Sequence, residues 1–314
     1  MKQKKEGFRT TIGGQALIEG IMMRGPSKQA IVVSTKDGFV VKEEDLKFIK
    51  DKYPILGWPL VRGIVNFGSS MVNGFRALMF SASCLPLEEQ EEEKSKIDIW
   101  IEKKFGGEKA DKIIMTVAAV IGIALSVGLF ILLPTLLAGL FKNIVPSGLL
   151  KNLIEGAFRI AIFLIYLWFS TRMKDIHRVF EYHGGEHKSI HCYEKGLALT
   201  VENVRVQPRQ HPRCGTSFLF VVVIISSLVF SVVSWSNPLL RILIRILLIP
   251  VVVAFSYEIN RLIGRHDNRF TRILAAPGLA LQRLTVYEPD DNMIEVAIAG
   301  LKLVIPEKKG ADEW

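Results

Sequence analysis

Long apolar runs separated by charged segments dominate this chain. Ile113–Phe141 is almost uninterrupted, Thr216–Ser234 is a second run of spanning length, and each is typical of a membrane-spanning helix. Leu153–Ser170 and Leu239–Tyr257 are also apolar but contain charged residues. The pattern predicts a mainly α, polytopic helical membrane bundle of about four spans.

Four charged residues interrupt the two weaker spans: Glu155, Arg159, Arg241 and Arg245. A charge within a bilayer is costly and is normally paired or placed at the interface. Each helix carries its two charges four residues apart, so both lie on one face, and Glu155 can neutralise an arginine of another helix. The alternative is that these side chains extend outward to the membrane interface.

Two further apolar segments carry too many polar positions to be read as simple spans. Leu60–Ser83 contains Arg62 and Arg76, so we expect it to lie in the interface, with a fifth span as the alternative. Phe270–Leu284 resembles an interfacial or re-entrant helix broken at Pro277.

Alternating short runs near the N-terminus predict a small α+β portion. Ala30–Ser34 and Phe39–Lys42 flank Asp37-Gly38, which indicates a β-hairpin. Met293–Ile305 is predicted to pack on the same portion, as either a helix or a strand.

The segment Gly13–Pro26 precedes the hairpin and is punctuated by glycine. Such a segment suits a loop that approaches a ligand closely, with Gln15, Glu19 and Arg24 as polar contacts. A glycine-punctuated buried strand is the equally weighted alternative.

These patterns divide the chain into six segments. They are an N-terminal unit with hairpin and interfacial helix (1–84), a charged linker with the acidic run Glu88–Glu93 (85–112), a first transmembrane pair (113–170), a His/Cys segment (171–215), a second transmembrane pair (216–258) and a C-terminal segment (259–314).

Composition agrees with membrane and polar parts in one chain. Of 314 residues 49% are hydrophobic, and the mean hydropathy is +0.29. Lysine and arginine concentrate in Met1–Lys112, Thr171–Arg213 and the tail from Arg261, whereas the other connections are short and nearly uncharged. This distribution predicts that both termini and the His/Cys segment are cytoplasmic, where free cysteines persist.

The His/Cys segment gathers five of the six histidines and two of the three cysteines. On a helix, His183, His187 and His191 would lie along one face with Glu186 beside them. Imidazole and thiolate donors favour zinc or another divalent transition metal. The predicted metal ligands are His183, His187, His191, His211 and Cys214. Two adjacent glycines, Gly184 and Gly185, leave a bend as the alternative to a helix.

The spacing His183-x-x-Glu186-His187 also fits the H-x-x-E-H pattern, in which the glutamate takes a proton from metal-bound water. Glu186 is therefore the predicted catalytic base. Glu258, followed by His266 and Asp267, could supply a supporting carboxylate or instead cap a helix. Arg213, with Arg205 and Arg209, could hold an anionic substrate. A complete set of protein ligands would instead make the metal structural.

Five motifs carry a family resemblance: GGQALIEGIMMRGP, YHGGEHKSIHCYE, LTVENVR, HPRCGTSFL and APGLALQRLTVYEPDD. They resemble the YqhQ family, bacterial membrane proteins of unknown function that are often described as predicted metal-dependent enzymes. The resemblance spans nearly the whole chain. It implies a multi-pass protein of the bacterial plasma membrane and the same His, Cys and Glu candidates.

Two hypotheses of function follow. The first is a metal-dependent hydrolase acting at the membrane surface. The second is a non-enzymatic scaffold with a structural metal, whose net charge of +9 favours docking to anionic lipids, a membrane complex or the ribosome and its RNA. Gly63, Gly68 and Gly74 would also permit the close helix approach of a homodimer.

Overall fold

A computed structural model describes residues 8–46, 49–85, 104, 106–141, 148–232, 238–266, 268–308 and 310–313. Within these residues the protein is mainly helical and contains a small antiparallel sheet, as predicted. The acidic run Glu88–Glu93 and Asp267 lie outside the described residues.

The secondary-structure elements are numbered in chain order. The strands are β1 (Gly13–Leu17), β2 (Gly20–Arg24), β3 (Lys28–Thr35) and β4 (Gly38–Asp45). The described α-helices are α1 (Ile49–Lys52), α2 (Val61–Ser83), α3 (Gly107–Val127), α4 (Leu133–Leu140), α5 (Gly148–Ser170), α6 (Lys174–Glu194), α7 (Val201–Arg205), α8 (Gly215–Ser231), α9 (Pro238–Leu247), α10 (Ile249–Arg265), α11 (Arg269–Thr285) and α12 (Asp291–Val304). A 3-10 turn covers Pro54–Gly57, and a π-helical turn, Gly128–Leu132, joins α3 to α4.

The chain forms two compact units. The first, which we call the site unit, comprises Met1–Cys84, Tyr166–Ile225 and Ile249–Trp314. The second, which we call the apolar unit, comprises Leu85–Ile165 and Ser226–Leu248.

The sheet of the site unit has the order β1-β2-β3-β4, with every neighbouring pair antiparallel. Pairing of β3 with β4 confirms the predicted hairpin, and Gly38 follows its turn with φ +119°, a conformation that glycine adopts readily. The glycine-punctuated segment forms β1 and β2, so the strand interpretation was correct.

Helix α12 resolves the ambiguous C-terminal segment, because its apolar face packs on the sheet. Val296 and Leu301 join Ile21, Met23 and Val32 in one buried cluster. The Asp290 side chain accepts a hydrogen bond from the Met293 N–H at the start of the helix. The cluster fixes α12 to the strands beside the His/Cys segment.

Three described helical stretches are long and apolar enough to cross a bilayer: Thr116–Leu140, Leu150–Ser170 and Leu240–Arg265. The fourth predicted run appears as α8, whose 17 described residues form a shorter apolar helix. The helices indicate a membrane protein in contact with lipid. The count of four spans and the cytoplasmic orientation stay predictions.

The first apolar stretch contains a π-helical turn immediately before Pro134. Proline has no N–H, so it cannot satisfy the carbonyl of Phe130 four residues earlier. The Arg159 Nε–H donates to that carbonyl over 3.0 Å. The Arg159 side chain thus replaces the backbone donor, and lipid could offer no hydrogen-bond donor in its place.

Helix α11 corrects the predicted break at Pro277. The helix runs without interruption from Arg269 to Thr285. Pro277 lies on its exposed face, whereas Ala275, Gly278 and Leu281 are buried on the other. Pro277 has no N–H to donate to the Ile273 carbonyl, and packing of the buried face stabilises the helix despite this lost hydrogen bond.

Two of the three glycines that suggested a homodimer serve contacts within the chain. A Cβ at Gly63 would lie 2.9 Å from the Tyr257 side chain, and one at Gly74 would collide with Gln15. Only Gly68 has no neighbour within 4 Å of a built Cβ. The glycines of α2 therefore explain its close packing on α10 and β1.

Glu155, Arg159, Arg241 and Arg245 form one largely buried network within the apolar unit. Glu155 contacts Arg159 at 3.0 Å, Arg241 at 2.8 Å and Arg245 at both carboxylate oxygens. Thr135 donates to Glu155 as well, over 3.0 Å. Glu155 is 2% exposed and Arg245 is 1% exposed, so one carboxylate is shared by three guanidinium groups.

Replacing the shared carboxylate should destabilise the apolar unit. In Glu155→Gln the buried arginines lose their counter-charge, and we expect a loss of about 3–5 kcal/mol in the free energy of unfolding. Thermal unfolding of the detergent-purified variant measures it. The exposed Glu295→Gln on α12 is the control and should stay within about 0.5 kcal/mol of the parent. Equal stability of the two variants would contradict this role for Glu155.

Candidate metal centre

Helix α6 is continuous and carries three of the predicted metal ligands, so the alternative of a bend at Gly184-Gly185 is wrong. A Cβ at Gly184 would collide with the Tyr287 carbonyl oxygen, and one at Gly185 would lie 3.2 Å from the Met293 carbonyl oxygen. The two glycines therefore let residues 287 and 293 approach the helix closely. The helical interpretation, with His183, His187 and His191 a turn apart, was correct.

His183, His187 and Cys214 form a first cluster, which we call the inner triad. One ligand atom from each lies within 4.8 Å of the others. The His183 Nε2 atom is 3.1 Å from Cys214 Sγ, and the His183 and His187 ring centroids are 4.4 Å apart. Cys214 reaches the helix from the loop before α8.

Backbone carbonyl groups orient both imidazoles of the inner triad. His183 Nδ1 lies 3.1 Å from the Thr285 carbonyl oxygen, and His187 Nδ1 lies 2.6 Å from that of Arg209. Since a carbonyl only accepts, each Nδ1 carries the proton and each Nε2 carries a lone pair. Carbonyl groups hold metal-ligating histidines in this way.

The His187 Nε2 atom is buried and has no hydrogen-bond partner within the described part of the chain. Burial lowers the pKa of His187 to about 4, so this ring is neutral at pH 7 and its lone pair is available. A buried acceptor without a partner is costly unless something binds it. A metal ion coordinated by Nε2 would remove that cost.

The surroundings of Cys214 favour deprotonation of its thiol. Burial raises the pKa of its thiol, but the contacts with His187 and Thr216 outweigh burial and bring the pKa below its usual value. The Thr216 hydroxyl lies 3.0 Å from Sγ, and the Thr216 N–H donates to it over 3.3 Å. The thiolate is the form that binds metal.

Glu186 lies beside the inner triad and is anchored by the sheet. Its Oε1 accepts the Gly14 N–H of β1 over 2.8 Å. A Cβ at Gly14 would lie 2.9 Å from the Glu186 carboxyl carbon, so glycine is needed for this approach. Burial, opposed by His183, raises the Glu186 pKa to about 7, which suits proton transfer near neutral pH.

The other two predicted ligands belong to a second cluster, His191, Glu194 and His211, which we call the outer triad. Its ligand atoms also lie within 4.8 Å of one another. The His211 ring centroid is 4.7 Å from that of His191 and 5.5 Å from that of His187. The sequence interpretation missed Glu194, although its position three residues after His191 on the same helix was a readable signal.

Arg213 and Glu258, two other predicted site residues, lie in different places. Arg213 contacts Glu194 and His211. Glu258 instead binds Arg62 and accepts the Leu60 N–H before α2.

The polar residues of the glycine-punctuated segment lie apart from the inner triad. Gln15 packs on Gly74, and Glu19 pairs with Arg178 at 2.6 Å and with Tyr182. Arg24 is the last residue of β2, and burial lowers its pKa. The backbone of Gly14 connects this segment with the candidate centre.

The donor set of the inner triad fits a zinc-like ion. Two imidazoles and one cysteine sulfur would supply three ligands to such an ion, which is commonly four-coordinate. Soft sulfur together with nitrogen disfavours magnesium and calcium, which prefer oxygen.

Comparison with known proteins gives a family without an assigned activity. Residues 58–307 match the model of a family described as "Protein of unknown function (DUF1385)". The chain is 35% identical over 291 residues to "Uncharacterized protein YqhQ" of Bacillus subtilis (strain 168), covering 91% of this chain and 89% of that protein. No solved structure matches. The chain therefore belongs to the DUF1385 family, as its motifs indicated, and neither description names a metal or a reaction.

Removing one inner imidazole should abolish tight metal binding there. In His187→Ala we expect zinc affinity to fall by more than about 100-fold, because loss of a mere supporting group already weakens metal sites by about 10–100-fold. Elemental analysis of the purified protein after dialysis against a weak chelator measures it. His177→Ala, on the same helix but exposed, should retain zinc. Equal zinc content in both variants would contradict the assignment.

The raised pKa of Glu186 should appear in the pH dependence of stability of metal-free protein. Its carboxyl group binds a proton more tightly folded than unfolded, so its contribution is fully present below about pH 4.5 and is lost as pH rises to about 7. Buried His187 and His211, each with a pKa near 4, act oppositely between about pH 4 and 6.5. Glu186→Gln should therefore make stability rise more steeply with pH between 4.5 and 6.5.

Thermal unfolding in chelator across this pH range checks the expectation. Glu181→Gln on the same helix is the matched control and should keep the parent slope. A variant slope shallower than that of the parent would contradict the raised pKa.

Proposed function

We propose that this member of the DUF1385 family is an integral membrane metalloprotein with a zinc-like ion at the inner triad, acting as a metal-dependent hydrolase at the membrane surface. The observation that carries the proposal is the buried Nε2 of His187, which has no hydrogen-bond partner among the described residues and shares a cluster with His183 and Cys214. Glu186 next to these ligands supplies a proton acceptor.

An ion at the triad would polarise a bound water and lower its pKa towards neutrality. His183 and His187 keep their Nε2 lone pairs directed inward because the Thr285 and Arg209 carbonyls hold Nδ1. The Glu186 carboxyl group, with its pKa near 7, accepts the proton of the attacking water and returns it to the leaving group. The Gly14 N–H keeps that carboxyl group in place during the transfer.

The location suggests the class of substrate. Arg213 and the outer triad line a cavity of about 320 Å³ together with Ile263 and Gly264, which end the third long apolar helix. A substrate that is anionic and membrane-associated fits such a mixture of basic and apolar walls. The cytoplasmic face is part of this proposal and depends on the distribution of lysine and arginine.

A structural metal is the second candidate, and the burial of the inner triad favours it. His187 is 1% exposed and Cys214 is 4% exposed, and no inner-triad residue lines the cavity. In that case the chain is a scaffold whose basic surface docks to anionic lipid, a membrane complex or the ribosome. The two candidates differ in what Glu186 does.

The Glu186→Gln variant distinguishes hydrolase from scaffold. Glutamine keeps an oxygen for the Gly14 N–H but cannot accept a proton, so zinc content should remain while hydrolysis falls by about 10²–10⁴-fold. Zinc-loaded protein in detergent is assayed with p-nitrophenyl phosphate and p-nitrophenyl acetate. Glu181→Gln should retain parent activity. Zinc retained with no zinc-dependent hydrolysis in parent and variant alike would sink the hydrolase and favour the scaffold.

A further inference from the structure

The outer triad has the ligand groups of a metal site, and the guanidinium group of Arg213 contacts two of its members. Arg213 Nη2 lies 3.1 Å from His211 Nε2 and also contacts Glu194 Oε1. A guanidinium group can only donate hydrogen bonds, and the Arg213 backbone N–H also lies 3.4 Å from His211 Nδ1, so both ring nitrogens face donor groups of Arg213. The carboxylate and the imidazole therefore face one positively charged group, as they would face a metal ion.

The two carboxylate oxygens of Glu194 have different surroundings. Oε1 accepts from the Thr10 N–H over 2.9 Å and from Arg213. Oε2 lies 3.6 Å from His211 Nε2. Donor atoms about 2.1 Å from a tetrahedral zinc ion are about 3.4 Å apart, so this pair already has nearly the separation that an ion requires.

His191 completes the set from the same helix. Its Nε2 lies 2.8 Å from the Gln210 carbonyl oxygen, which fixes the proton on Nε2 and leaves the lone pair on Nδ1. A backbone carbonyl thus orients this ring as carbonyls orient both rings of the inner triad. Two imidazoles and one carboxylate form a ligand set typical of catalytic zinc.

Access differs between the two triads. His191, Glu194 and His211 all line the cavity of about 320 Å³, whereas the inner triad does not. His211 also lies next to His187, with ring centroids 5.5 Å apart, so the outer triad lies between the inner triad and the cavity.

We propose that His191, Glu194 and His211 bind a second divalent transition metal ion, and that this ion enters by displacing the guanidinium group of Arg213. The chain then holds two neighbouring ions, an inner one with a thiolate ligand and an outer one facing the cavity. Arg213, once displaced, is left free to bind an anionic group in that cavity. The binding of this ion is independent of the proposed hydrolysis; only its contact with substrate depends on that function.

Cobalt(II) titration of full-length, detergent-purified, metal-free protein tests the proposal, because a thiolate ligand gives a near-ultraviolet charge-transfer band and nitrogen or oxygen ligands do not. We expect two equivalents to bind. One should produce the thiolate band from Cys214, and the other should add only weak visible absorption. Glu194→Gln should lose the second equivalent and keep the thiolate band.

Arg213→Gln gives the sharper test, since it removes the competing cation. We expect the outer ion to bind about tenfold more tightly or better in this variant, the effect of one lost charge-assisted hydrogen bond. Arg205→Gln removes an exposed arginine paired with Asp291 and should leave both affinities unchanged. If Arg213→Gln does not fold, the Glu194→Gln titration decides alone.

Each alternative result has a defined meaning. One equivalent with a thiolate band, unaffected by Glu194→Gln, would overturn the outer site and leave the proposed function standing. Weaker outer binding in folded Arg213→Gln would overturn the displacement of arginine. Two equivalents without a thiolate band would refute the inner site while retaining the outer one.

Discussion

The close contact between helix α6 and the backbone of residues 285–297 is the constraint on which the candidate centre depends. Gly184 and Gly185 remove the side chains that would keep these segments apart. At that distance the Thr285 carbonyl meets His183 Nδ1 and determines which nitrogen carries the proton. Two glycines, which lower the stability of a helix, thus allow the contact that determines which nitrogen of His183 carries the proton.

In the apolar unit, too, a polar backbone group is hydrogen-bonded by a distant part of the chain. Pro134 leaves the Phe130 carbonyl without its helical donor, and Arg159 supplies one. Arg159 is in turn neutralised by Glu155, which two other arginines share. Three guanidinium groups around one carboxylate leave two positive charges in excess, and hydroxyl, carbonyl or aromatic neighbours, such as Phe230 beside Arg245, help to stabilise them.

Much of the fold and part of the site could be predicted from the sequence. Apolar length identified helical stretches that are long enough to cross a bilayer, and the alternation around Asp37-Gly38 identified the hairpin. Helical spacing placed His183, His187 and His191 on one face, and the His-x-x-Cys loop indicated Cys214.

Other features depend on long-range contacts that no local pattern records. The separation of five predicted ligands into two triads depends on where the loop carrying His211 packs against α6. The continuity of α11 through Pro277 depends on its buried face. The pairing of Glu258 with Arg62 joins residues 196 positions apart, so no local pattern indicated it. Arg213 was read as a contact for substrate, whereas its carboxylate partner Glu194 was not considered.

The hydrogen bond from Gly14 to Glu186 joins residues that are 172 positions apart. The ribosome makes Gly14 early and Glu186 only after two long apolar stretches have been synthesised. A nascent or truncated chain that ends before α6 therefore contains Gly14 but none of the residues of the two triads. Completion of the candidate centre is tied by chain order to synthesis of these two apolar stretches, so any chemistry that it performs is withheld until they exist.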